Sequence, residues 1–132
     1  MPISMNWYNQ EMAVAHSQII GHWTMKQFHA AWAAGRELLA ERPNTRVDFI
    51  IDLSDSILIP PDFVRQFRQL SFERTQNIGM IVFIGADEHI QVLIETIRQI
   101  TAFDCPVDYA DTPEAALAII EQARQNALAL SA

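Results

Sequence analysis

The apolar positions along this chain change period several times, and each change marks an element. Ile3–Asn9 mixes aromatic and polar residues in the manner of a strand, and Asn9-Gln10-Glu11 supplies turn residues. Met12–Ile20 alternates loosely as the hairpin partner, and Gly21 closes the unit. From Thr24 the spacing becomes helical. Phe28, Ala31, Trp32, Gly35, Leu38 and Leu39 fall on one stripe, Thr24 stands where a hydroxyl caps orphan N–H groups, and Arg42-Pro43-Asn44 stops the helix near Glu41. Val47–Leu53 is the first strongly apolar strand. Ser54-Asp55-Ser56 reads as a turn after it, and Pro60-Pro61-Asp62 as the opening of a second helix with Phe63, Val64, Phe67 and Leu70 on its buried face. Ile78–Ile84 is almost wholly apolar, the pattern of a central strand covered on both faces. Gly85-Ala86-Asp87 leads into a third helix striped by Ile90, Leu93, Ile94, Ile97 and Ile100. Pro106–Tyr109 is a short strand. Thr112-Pro113 starts a last helix, buried through Ala116, Leu117, Ile120 and Ala123, with Ala129–Ala132 a fraying tail.

The order is therefore β-β-α-β-α-β-α-β-α. Alternating units of this kind predict an α/β domain, a mixed and mostly parallel sheet covered by helices, occupying residues 1–132 as one unit. With 132 residues, half of them hydrophobic, the chain can bury a core without metal or disulfide support.

Charge narrows the function classes. The net charge is −7, with a single lysine, Lys26, and scattered arginines, which argues against nucleic acid and anionic membranes as partners. No run reaches the roughly 18 apolar residues of a membrane span. MPISMNWYNQEM lacks the charged and apolar regions of a signal peptide, and the lone Cys105 has no partner within the chain, so a cytoplasmic protein is expected.

This order, with VDFIIDLSDSILIPPDF and the closing DTPEAALAII, resembles the SpoIIAA-like branch of the STAS domains, the anti-sigma-factor antagonist fold, related in shape to the lipid-binding Sec14 domain. The resemblance spans almost the whole chain. Antagonist-type members carry an Asp-Leu-Ser-like strand end followed by an Asp-Ser-Ser-Gly-like segment whose serine is phosphorylated. Asp52-Leu53-Ser54 matches the first part, but Pro60-Pro61-Asp62-Phe63 stands where the second belongs, without serine or glycine. Asp62 is then either a first-turn carboxylate favoured by the helix dipole or a fixed carboxylate near the phosphoacceptor position. The resemblance implies a bacterial regulatory module that works by binding another protein, not an enzyme, with Ser54, Asp55, Ser56 and Asp62 as the contact surface, and it leaves room for a homodimer. The Sec14-like shape implies an alternative: a carrier or sensor of an apolar small molecule, with a pocket near Trp7, Trp23 and Trp32.

Other candidates have plainer explanations. Asp52, Asp55 and Asp62 lack the second acidic pair and the lysine that a receiver domain needs, so turn formation and solvation account for them. His16, His22 and His29 have no metal-ligand spacing. Nothing beside Cys105 would lower its pKa, and Lys26 in a first helical turn is an exposed residue rather than a Schiff-base former. Gly79 and Gly85 bracket a strand without forming a phosphate loop, and Arg65 and Arg68 read as a solvated helix face. No cofactor is implied. The aromatics Trp7, Tyr8, Trp23, Phe28 and Trp32 are either core beneath the first helix or the lining of a pocket, with Trp23 expected to be the most exposed.

Overall fold

In a computed structural model, residues 2–58, 63, 65, 77–101 and 105–131 are described. They form a five-stranded sheet: β1 (Ile3–Asn9), β2 (Val14–His22), β3 (Val47–Leu58), β4 (Ile78–Ile84) and β5 (Val107–Ala110), in spatial order β1-β2-β3-β4-β5. β1 and β2 are an antiparallel hairpin, and every later neighbour is parallel. Three helices are described: α1 (Met25–Glu41), α2 (Glu88–Thr101) and α3 (Pro113–Ser131). The helix expected from Pro61 falls largely outside the described residues; Phe63 and Arg65 are described, both helical.

The layering follows from the strand order. When parallel strands succeed one another across a sheet, right-handed crossovers return on the same face each time. α1 and α2 accordingly share one face, over Phe49, Ile51, Ile81 and Phe83. α3 follows the last strand and packs the other face, where Ala116 and Ile120 meet Val14, Ile50, Met80, Val82 and Ile84. α3 reaches β2 at Val14, and among the described residues Tyr8 of β1 and Ile20 of β2 are exposed.

The helix ends are secured by local chemistry. Thr24 and Gln27 form a reciprocal capping box on α1. Trp23 and Phe28, the residue before the cap and the fourth inside the helix, are in ring contact at 6.1 Å, which makes a hydrophobic staple. At the other end, the Asn77 amide donates to the carbonyls of Leu39 and Arg42. Asp87 caps α2 and Thr112 caps α3.

Several boundaries differ from the sequence pattern. The hairpin turn is longer than Asn9-Gln10-Glu11: Asn9 Oδ1 accepts from Met12 N, and Ala13 adopts φ 56° before β2 begins. Gly21 lies inside β2 at φ 66° and does not close it. This longer β2 gives β3 a partner beyond Leu53, pairing Ile20 with Asp55 and Gly21 with Ser56, so Ser54-Asp55-Ser56 is strand and not turn. A bulge between the Gln18–Asp52 and Ile20–Asp55 pairs absorbs the extra residue. β5 begins and ends one residue later than expected, and α3 continues through Ser131 where fraying was expected. Gly85, at φ 73°, abuts β3 so closely that a Cβ would lie 2.6 Å from Ser54 Oγ.

One charged residue is buried at the centre of the second face. Asp48 is 0% exposed. Its carboxylate accepts from Met80 N at 2.7 Å, from Arg46 Nε at 3.0 Å and from Arg124 Nε at 2.7 Å. Arg124 also donates to the carbonyls of Met12 and Ala13. Removing one partner of a buried pair strands the other charge, typically at a cost of about 3–5 kcal/mol. Arg124→Met should therefore lower the unfolding free energy by about 3 kcal/mol, since Asp48 keeps only Arg46. The Asp48→Asn, Arg124→Met double variant should lose at least about 1 kcal/mol less than the sum of the single variants. Urea unfolding of the four proteins measures both, and strict additivity would show that the pair is not coupled.

Candidate functional site

Between the sheet and the α1/α2 layer lies a cavity of about 150 Å³. Each side of it follows from a sequence pattern already described. β2 and β3 contribute Ser17, Ile19, Phe49, Ile51 and Leu53, alternate residues that face one way because strand side chains have a period of two. α1 contributes Phe28, Ala31 and Trp32, and α2 contributes Ile90, Leu93, Ile94 and Ile97, both at helical spacing. Trp23 and Phe63 stand at one end, edge to face with ring centroids 5.6 Å apart, and Phe28 meets Phe63 at 5.3 Å in the same manner. Among the described lining residues, Ser17 and Arg98 are the two with polar side chains apart from the indoles.

The three tryptophans separate. Trp23 and Trp32 line the cavity, whereas Trp7 does not. Trp7 packs at the far end of α1, where its indole donates to Glu41 and the Arg42 guanidinium sits 5.3 Å from its ring centre. Trp23, expected to be exposed, is 7% exposed, because the staple folds it back beneath the start of α1.

Ser54 and Asp55 are exposed on the extended end of β3, and Ser56 is half-buried. Ser56 Oγ accepts the indole N–H of Trp23 at 3.2 Å, so a cavity-wall residue is tied to this strip. Asp52 accepts from Ser54 N. Asp62, Val64, Phe67, Arg68 and Leu70 lie outside the described residues. Lys26, His22 and His29 are exposed, and among the described residues no group of His, Cys, Asp or Glu is placed to hold a metal ion. The Cys105 thiol is half-buried and 3.5 Å from the Gly79 carbonyl.

Two features of this region had no place in the candidate residues from sequence. Ser17 interrupts the apolar side of β2, a signal visible as one hydroxyl between Ala15 and Ile19. Arg98 falls four residues after Ile94 and eight after Ile90, so it shares their stripe. Its Nη1 donates to both oxygens of Glu95 and its Nη2 to the Cys105 carbonyl. Its Nε is buried without a hydrogen-bond partner among the described residues. Glu95 also accepts from the Tyr109 hydroxyl at 3.1 Å.

No protein-family model matches the chain, and no curated protein sequence matches it. Among the described residues, no helix is long and apolar enough to cross a membrane.

Two titrations mark the two faces of the sheet. Burial lowers the His16 imidazole from its ordinary 6.5, partly opposed by the Asp52 carboxylate. Burial, and then the Glu95 hydrogen bond, push the Tyr109 phenol up to about 12. The unfolded chain takes up the His16 proton near 6.5 while the native imidazole resists it. The stability this group contributes is therefore full above pH 6.5 and falls as pH drops below it. The unfolded phenol ionises near pH 10. The Tyr109 contribution is therefore full below about pH 10 and is lost as pH rises towards 12. Urea midpoints against pH should lose the acid slope in His16→Asn and the alkaline slope in Tyr109→Phe. Absorbance at 295 nm should show that the phenolate missing from Tyr109→Phe is one that forms above pH 10.

Proposed function

We propose that this chain is a non-enzymatic α/β binding module, SpoIIAA-like in architecture, that takes up a small apolar molecule in the cavity beneath α1 and α2. The observation that carries this reading is the cavity itself. Protein interiors hold few voids larger than a water molecule. A wall that closed on 150 Å³ would gain about 3–4 kcal/mol at the usual cost of cavity volume. That is a large fraction of the stability of a domain this size. Apolar walls with few polar groups are also the general form of small-molecule sites.

The Trp23–Ser56 bond favours a second, compatible role for the Ser54–Ser56 strip. A ligand that shifts the Trp23 ring also moves the hydroxyl it holds on β3. The strip would then report occupancy to a protein partner.

Filling the cavity separates use from accident. Ala31→Leu extends a side chain from α1 into the space and should raise the unfolding free energy by about 1–2 kcal/mol. The same variant should lose the saturable change in Trp23 and Trp32 fluorescence that small apolar compounds produce in the parent protein. A parent protein whose fluorescence and melting temperature stay flat across a graded series of such compounds would sink the proposal.

A further inference from the structure

We infer that the free edge of β1 is the seat of a two-fold homodimer, in which β1 pairs antiparallel with β1 of a second copy and joins two five-stranded sheets into one. The sheet ends differently on its two sides. β5, at one edge, is four residues long, follows Pro106 and carries the exposed Asp108, features that discourage a further strand. β1, at the other edge, is seven residues long and reads ISMNWYN, without lysine, proline or any charge. In a chain of net charge −7, it is a stretch on which two copies meet without repulsion.

The backbone supplies the pairing. Ile20 N donates to the Pro2 carbonyl, and Pro2 stands opposite Ile20 in the register that pairs Ile3 with Ile19. Antiparallel ladders alternate, so Ser4 and Asn6 turn their N–H and C=O groups to β2, while Ile3, Met5 and Trp7 turn theirs to the open edge. Ile3–Trp7 is regular, since the irregularity in β1 lies beyond it, between Trp7 and Asn9. Met5 is its centre. A two-fold axis at Met5 sets Met5 against its own copy and Ile3 against Trp7 of the second copy, and each such pair exchanges both of its hydrogen bonds. A second copy thus satisfies every outward group of Ile3–Trp7 in one register. The side chains suit the same register. Ile3, Met5 and Trp7 belong to the α1 face, where an apolar row meets its own copy. Ser4 and Asn6 lie on the other face and stand across from one another, hydroxyl against amide. α1 leaves room for this. A Cβ on Gly35 would lie 3.3 Å from Met5 of β1 and 3.7 Å from Phe49 of β3, so the helix runs above β2 and not above the edge. Three strand spacings then hold the two α1 helices about 14 Å apart, wider than the roughly 8–10 Å of helices in contact.

Sedimentation equilibrium of the full chain measures the assembly. A dimer is expected, with a dissociation constant on the order of micromolar, because one strand pair is a small interface. The Ser4→Glu, Asn6→Glu double variant sets like charges opposite one another on both sides of the axis. It should weaken the dimer about tenfold or more, with the circular dichroism spectrum unchanged. Cysteine pairing in a Cys105→Ser background reads the register. A mixture of Ser4→Cys and Asn6→Cys chains should oxidise to a disulfide-linked dimer, because directly opposed residues stand close enough to be bridged, and neither chain alone should do so. A monomer throughout the micromolar range would overturn the inference. So would a dimer that the two glutamates leave unchanged, or cross-linking by one cysteine chain alone in preference to the mixture. If the glutamate variant does not fold, the mass of the parent protein and the cysteine pairing decide the matter. Failure here would leave the cavity reading as it stands.

Discussion

A single carboxylate at the middle of the sheet organises the face that α3 covers. Asp48 lies between Val47 and Phe49, in a strand whose neighbours are core residues, and it is held by one amide and two guanidinium groups. An isolated charge in that place would cost many kcal/mol. The pairing therefore constrains everything near it. Gly79 is glycine because a Cβ there would lie 2.1 Å from Asp48 Oδ1. Arg124 must come from a helix that crosses this face, which fixes where α3 runs. The Ala13 carbonyl accepts from both Asp48 N and Arg124, so the left-handed turn that opens β2 is held by the same group. Left-handed backbone is unfavourable for a residue with a Cβ, and the surrounding bonds over-determine it.

The two faces of the sheet thus have opposite designs. The α3 face is close-packed around an ion pair and specifies where the last helix docks. The α1/α2 face is apolar and retains a cavity among its aromatic rings. Stability lost at the cavity of the α1/α2 face is stability that the proposed ligand would restore, because anything that binds only the native state stabilises it by mass action. The ion pair keeps the architecture defined while the other face remains adaptable.

Most of the fold was legible because its elements are strongly periodic. The stripes of α1, α2 and α3 and the apolar runs of β3 and β4 stand where spacing puts them. The α/β class with a largely parallel sheet follows from their order. What spacing could not show was pairing. Ser54-Asp55-Ser56 has turn composition, yet it is strand because β2 extends alongside it through a left-handed Gly21, a partner that no local window contains. Trp23 looks exposed in sequence because it precedes a cap, and is buried because a staple needs Phe28 four positions into the helix. The crowding of Trp23 and Trp32 with Phe28 left core and pocket lining both open, and both side chains are found along the cavity beneath α1. Trp7 shares that crowding but follows β1 to the opposite end of α1. Asp48 and Arg124 lie 76 positions apart, and only their oddity within apolar stripes marks them.

That separation has a consequence for how the molecule comes into being. Asp48 precedes its principal partner, Arg124, by 76 residues. As the chain emerges from the ribosome, β1, β2, α1 and β3 are available long before Arg124. Until α3 is made, the carboxylate has Arg46 beside it and, once β4 is made, Met80 N, but not the guanidinium that comes with the covering helix, so that face of the nascent sheet stays wet. The N-terminal half can pair its strands early, but this face can dry only after synthesis has passed residue 124, so sealing of the core is tied to production of the last helix.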